Sequence, residues 1–176
     1  MSLTITIPEE LDRYLKFLEK ARFIKNRQHA ILTSLELFKK LSMHEWLPHI
    51  YKVGGFRTAL VDTSFLLEIF QLLSDAELFA IGRKLGIRKK TENPIYAELN
   101  TRLVDNWPIV LKDLEILGWG KFELFKNEIR IESGCMPTPF ILGFLNGLFD
   151  TSFTPHFTKI GITILVPTLK NASSSY

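Results

Sequence analysis

Leu3-Thr4-Ile5-Thr6-Ile7-Pro8-Glu9-Glu10-Leu11 is the stretch whose reading decides the fold of the N-terminal part. Apolar and β-branched hydroxyl residues alternate over residues 3–7, the period-2 signature of a strand with one buried face and one threonine face. Pro8 ends that strand and, with Glu9 and Glu10 behind it, opens a helix, because proline suits the first turn and carboxylates suit the positive end of the helix dipole. Leu11, Tyr14, Leu15, Leu18 and Ala21 recur at spacings of three and four, which predicts a first helix through about residue 22. Asn26 reads as an N-cap. Ala30, Ile31, Ser34, Leu35, Phe38 and Leu41 form the stripe of a second helix, with Lys39 and Lys40 in its last turn. One short strand and two helices cannot satisfy the strand's own N–H and C=O groups, so the unit calls for a second copy of itself.

Residues 2–42 resemble the ribbon-helix-helix DNA-binding fold of the Arc, MetJ and CopG type, through Leu3 to Leu11 followed by Asn26-Arg27-Gln28-His29-Ala30-Ile31. The resemblance implies an intertwined homodimer whose two strands form a ribbon in the major groove of double-stranded DNA. On this chain the base-contacting side chains it implies are Ser2, Thr4 and Thr6. The phosphate-contacting group it implies is Lys25, Asn26, Arg27 and Gln28 at the start of the second helix. Two features depart from the family pattern. Ile24 stands where a glycine usually turns between the helices, so the turn geometry must differ, and the ribbon carries no Arg, Lys, Asn or Gln, so readout rests on hydroxyls and methyls. Phosphate clamping also predicts that Lys16, Lys25 and Arg27 converge on one face.

Residues 43–49 contain Pro48 and interrupt the helical pattern, which predicts a linker between domains. Beyond it, residues 50–168 read as a second domain and residues 169–176 as a flexible tail. Gly54-Gly55 is a turn signal, and Ser74-Asp75-Ala76-Glu77 is a capping box for a helix running through about Leu85, with Gly86 as its C-cap. Arg88-Lys89-Lys90 then reads as an exposed basic loop. A long amphipathic pattern over residues 95–117 is broken or kinked before Pro108. Residues 119–125 and 128–132 form a hairpin around Lys126-Asn127, and residues 140–149 an almost wholly apolar helix whose Gly143 and Gly147 allow another backbone to come close. Residues 159–166 make a last strand. Strand, strand, helix, strand gives an α+β fold class, with a small antiparallel sheet packed on helices.

Residues 60–166 are similar to the 4-vinyl reductase or hydrocarbon-binding domain family, through Leu117-Gly118-Trp119-Gly120, Phe144-Leu145-Asn146-Gly147 and a glycine in the last strand. The similarity implies a domain that senses a small apolar ligand, for which Phe65, Phe79, Trp107, Trp119, Phe140 and Phe144 are the candidate lining residues. The cysteine cluster often found near the end of that family is replaced by Pro155-His156-Phe157 and Ile160-Gly161-Ile162, which argues against a zinc site.

Composition bounds the function. The chain has 176 residues, 46% of them hydrophobic, and a net charge of +3 from 22 Lys and Arg against 19 Asp and Glu, too small a surplus to argue for nucleic acid unaided. Of its 21 aromatic residues 14 are Phe, which permits a lined cavity in the larger second part. Cys135 is the single cysteine, so internal disulfides and multi-thiolate metal sites are excluded. The longest nearly apolar run, residues 140–149, is about half of what a bilayer span needs, and no secretory signal is visible, which predicts a cytoplasmic protein without membrane contact. His44 and His49 do not have metal-ligand spacing, and no nucleophile elbow, phosphate-binding glycine loop or dinucleotide fingerprint occurs. The expectation is therefore a non-enzymatic, cofactor-free and metal-free transcriptional regulator that binds DNA as a homodimer, or as a higher oligomer once on DNA. The alternative is a dimeric protein-interaction module, antitoxin-like partner binding included.

Overall fold

A computed structural model describes residues 4–53, 56–159 and 161–168, and the chain divides into two compact units, Met1–Ala59 and Leu60–Tyr176. The mixed α+β class holds, with seven α-helices and two small antiparallel sheets among the described residues.

In the first unit residues 4–8 lie outside any strand and, through Pro8, lead into α1 (Glu9–Lys20), whose first turn carries Glu9, Glu10 and Asp12. The turn after α1 differs from a glycine turn. Arg22 takes the left-handed position at φ 61°, its N–H bonds to the Glu19 carbonyl, and the Phe23 N–H reaches back to the Leu18 carbonyl at 2.9 Å. That is a Schellman closure made without glycine, and it explains how the chain turns although Ile24 occupies the usual glycine place. α2 (Arg27–Lys40) opens on Asn26, whose side chain accepts the His29 N–H at 2.7 Å as a cap should.

Residues 43–49, expected as a linker, are structured and belong to the first unit. A single 3-10 turn (Met43–Glu45) is followed by a turn over Leu47-Pro48-His49-Ile50, in which Pro48 precedes His49 at φ 65° and the Ile50 N–H meets the Leu47 carbonyl. Trp46 fastens this segment. Its Nε1–H donates to the Lys52 carbonyl at 2.8 Å and to the Leu41 carbonyl at 3.3 Å, and its ring lies 4.5 Å from that of Tyr51. β1 (Tyr51–Val53) then pairs antiparallel with β2 (Phe56–Thr58), so the first unit ends at Ala59 rather than at residue 42.

The second unit starts with α3 (Thr63–Gln71), capped by Asp62, and α4 (Asp75–Glu92), which has the expected capping box from Ser74 and Glu77. α4 does not stop at Gly86. Residues 88–90 are its last turns rather than a loop, because Gly86 serves packing instead of termination. α5 (Pro94–Glu98), a 3-10 turn (Val104–Asn106) and α6 (Trp107–Ile116) replace the single long pattern expected over residues 95–117. The hairpin β3 (Lys121–Phe125) and β4 (Glu128–Glu132) turns through Lys126 at φ 55°, and α7 (Thr138–Phe149) follows with eight buried residues.

β5 (Phe153–Phe157) and β6 (Thr163–Pro167) complete a sheet in the order β3-β4-β6-β5. β5 was not expected. Pro155 lies inside it, which an edge strand tolerates because one of its sides donates to no ladder. α4 and α7 touch backbone to backbone. A Cβ at Gly143 would lie 2.0 Å from the Phe79 carbonyl oxygen, and one at Gly86 would lie 2.1 Å from that of Phe144. Trp107, 1% exposed, stacks on Phe149 at 4.7 Å and meets Phe153 edge-on, and its indole N–H donates to the Thr101 carbonyl.

Candidate functional site

Thr4 and Thr6 are exposed in the segment before α1, where Ile7 is half-buried. Ser2 lies outside the described residues. Residues 4–8 form no ladder within the chain among the described residues.

An open groove of about 640 Å³ is lined by Ile5, Ile7, Ile31, Leu32 and Leu35 together with the polar residues Glu19, Asn26, Arg27 and Gln28. Neither α1 nor α2 contains a buried residue. Ile5, Leu11, Leu32 and Leu35 are each 53–55% exposed, and Phe17 is 60% exposed. Burying such half-exposed side chains stabilises by roughly 1 kcal/mol each, which gives the two helices a strong reason to acquire a partner.

The four candidate phosphate contacts sit together at the start of α2. Lys25 and Gln28 are exposed, and Asn26 spends its side-chain oxygen on the cap. By helix geometry the N–H groups of Arg27 and Gln28 have no intrahelical acceptor, so they are the ones that can meet an anion. Arg27 is engaged within the chain, its Nη1 at 2.8 Å from Asp12 and its Nε at 3.6 Å from Glu19. Lys16 reaches the other Asp12 oxygen at 2.6 Å. Lys16 and Arg27 therefore do converge, with Asp12 between them, and their hydrogen bonds, that of Lys16 foremost, hold the Asp12 carboxyl below the ordinary range.

The six candidate ligand-lining rings do not form one site. Trp107, Phe140 and Phe144 are buried in the core of the second unit, and Trp119 packs on Phe140 and Phe144 at 5.9 and 4.8 Å. Phe65 is 59% exposed on α3. Phe79 lines an open groove of about 600 Å³ with Leu142, Pro139, Pro155 and Phe157, a setting with one ring of the expected six.

Other chemistry is sparse. Burial pushes the Cys135 thiol up, which disfavours the nucleophilic thiolate. Among the described residues no group of three or more His, Cys, Asp or Glu could hold a metal ion, and no helix is long and apolar enough to cross a membrane. Tyr96, 1% exposed, donates to Asp113 at 2.6 Å, and burial first and Asp113 second push its phenol well above the ordinary value. Burial lowers the Lys89 ammonium, and the Asp113 charge opposes that shift.

Sequence reasoning missed the hairpin over residues 51–58 and its two cations, Lys52 and Arg57. The signal was there. Tyr51-Lys52-Val53 and Phe56-Arg57-Thr58 alternate around Gly54-Gly55, which is a two-residue hairpin pattern and more than a turn signal. Compared with known proteins, the chain matches no protein-family model, no curated protein and no solved structure.

Proposed function

We propose that the chain is a homodimeric, sequence-specific DNA-binding regulator in which two copies of the first unit pair through residues 3–7 and present Thr4 and Thr6 to base edges. The observation that supports this reading is a helix pair without a buried residue, with Ile5, Leu32 and Leu35 left half in water beside the capped start of α2. A second copy covers those side chains and supplies the missing ladder. The Arg27 and Gln28 N–H groups then serve a phosphate on each side of the ribbon. The second unit senses a small apolar molecule, and the Phe79 groove is where it binds. Such a ligand acts by preferring one of two dimer arrangements that differ in DNA affinity.

The protein-interaction module is the second reading, and the pairing of Arg27 with Asp12 and Glu19 favours it, because a phosphate must compete with two carboxylates for that guanidinium.

Fluorescence anisotropy of the full chain on mixed-sequence and upstream duplexes, at two salt concentrations, tests the choice. Salt-sensitive binding by a dimer is expected, with sequence preference relaxed by Thr4→Ala and Thr6→Ala together and affinity lowered for all sequences by Arg27→Ala. A protein that is dimeric yet binds no duplex, or whose binding none of these changes affects, overturns the DNA reading.

A further inference from the structure

We propose that the β1–β2 hairpin is a second DNA-phosphate-binding element, with Lys52 and Arg57 as its contacts; this rests on the DNA-binding reading above and adds to it a site outside the ribbon. Lys52 and Arg57 are direct cross-strand partners, so both side chains rise from the same face of the hairpin. Like charges placed directly opposite each other destabilise a strand pair. Among the described residues neither cation has an ion-pair partner that would offset that cost, and Arg57 is exposed. An anion supplied from outside offsets it.

The opposite face is held in place. Tyr51 lies against Trp46, whose indole N–H ties the Lys52 carbonyl to the Leu41 carbonyl at the end of α2. Lys39 and Lys40 lie in the last turn of α2, just before Leu41, and are exposed and likewise without an ion pair among the described residues. The wider charge distribution agrees. Met1–Ala59 holds ten Lys and Arg against six Asp and Glu, while Leu60–Tyr176 holds twelve against thirteen, so the whole positive surplus belongs to the first unit. Several of its acids, Glu9, Asp12 and Glu19, are already paired along α1 and to Arg27. A repeating polyanion matches the adjacent cations Lys52 and Arg57 without needing any fixed hydrogen-bond geometry, which is what a duplex backbone offers.

The test is the salt dependence of duplex binding by the full chain, wild type against the Lys52→Gln, Arg57→Gln double variant. Each phosphate contact contributes about 0.9 to the slope of log affinity against log salt, so losing two per chain flattens it by about 1.8, or about 3.6 if both copies of the dimer engage. Between 50 and 200 mM salt the variant should therefore lose roughly 12-fold to 150-fold less affinity than wild type. A Lys84→Gln, Lys126→Gln variant removes the same charge from the second unit and should keep the wild-type slope.

Lys52→Glu separates function from folding. It turns the repulsive pair into an attractive one, so the first unit should melt at the same or a higher temperature while DNA affinity falls. If wild type binds DNA and the hairpin double variant keeps its slope and affinity, the hairpin assignment fails and the ribbon reading stands. If wild type binds no duplex, both fail. Hairpin-dependent binding of polyglutamate in place of DNA would assign the face to an acidic protein.

Discussion

Gly143→Ala should destabilise the second unit, although alanine is the better helix former by about 1 kcal/mol. The added Cβ would sit 2.0 Å from the Phe79 carbonyl oxygen, 2.8 Å from its carbon and 2.9 Å from the Arg83 nitrogen, where ordinary contact begins at 3.4 Å. All three are backbone atoms of α4, so no side-chain rotamer can relieve the clash. The helices must part by well over 1 Å, and that movement opens the three other contacts of the seam, at Gly82, Gly86 and Gly147. Overpacking costs typically 1–3 kcal/mol, and a backbone clash belongs at the upper end, about 3 kcal/mol. Subtracting the propensity gain leaves a loss of about 2 kcal/mol, a fall of roughly 6–10 °C in Tm for a unit of this size.

Thermal unfolding followed by circular dichroism reads this directly, and the sign is decisive. An unchanged or raised Tm would mean that propensity dominates and that the two backbones do not meet at Gly143. The seam also predicts non-additivity, because once one alanine has forced α4 and α7 apart a second at Gly82 has less left to break. The Gly82→Ala, Gly143→Ala double variant should lose less than the sum of the singles, by about 1 kcal/mol or more.

Arg22→Gly should stabilise the first unit by about 0.5–1 kcal/mol, since Arg22 holds φ 61° without glycine's freedom, and a lowered Tm would refute the Schellman closure. Unfolding of the first unit should shift to higher temperature as protein concentration rises, while that of the second unit stays fixed; a concentration-independent transition would show that α1 and α2 need no partner. Tyr96→Phe should cost about 1–3 kcal/mol at neutral pH by orphaning the buried side of Asp113. The Tyr96 phenol is raised in the folded chain above its ordinary value of 10.0, so its contribution is full below that pH and is lost as pH climbs beyond it, an alkaline loss that the phenylalanine variant should not show. Glu115 is the reverse case: the hydrogen bond from Lys112 foremost, and that from the Phe122 N–H, hold its carboxyl below the ordinary 4.5, so its contribution is present above that pH and is lost as pH falls through the folded value. Glu115→Gln should flatten the acid limb of stability against pH, and an unaltered limb would refute the link between α6 and β3.

Where the fold was legible in the sequence, a local rule and the tertiary context agreed. Asn26 before α2 and the Ser74–Glu77 capping box were visible because caps are satisfied within four residues. The β3–β4 hairpin was legible from strict alternation, and the close approach at Gly143 and Gly147 from their spacing. Gly86 misled for a physical reason. A glycine after an apolar run marks a C-cap when its φ is needed, but here its missing side chain is needed by Phe144 on a helix nearly sixty residues later, which no local pattern reveals. Pro155 hid β5 in the same way, since only the sheet order makes it an edge. The candidate site was legible in part. The start of α2 could be read residue by residue, whereas the Arg27 pairing to Asp12 and Glu19 depends on how α1 and α2 meet. The six candidate rings failed as a pocket because ring count says how much apolar surface a unit owns and not which side of the core it fills.

The two units use similar proportions of apolar residues to different ends. In the second, four strands and the α4–α7 seam close around Trp107, Phe149 and Leu165, so the unit satisfies its own backbone and core. In the first, the apolar stripes of α1 and α2 remain half in water, and the cations Lys52 and Arg57 stand opposite each other. Each of those features costs free energy in an isolated chain. α3 of the second unit and its C-cap likewise leave Phe65 and Leu72 in water, and what sets the first unit apart is that it combines two helices without a buried residue, an apolar groove and a cross-strand pair of cations. On the proposed reading the groove takes a second copy and the cations a polyanion. On that reading the two features reinforce each other, because a dimer would present twice the positive charge to one ligand and so raise both the affinity and its dependence on salt.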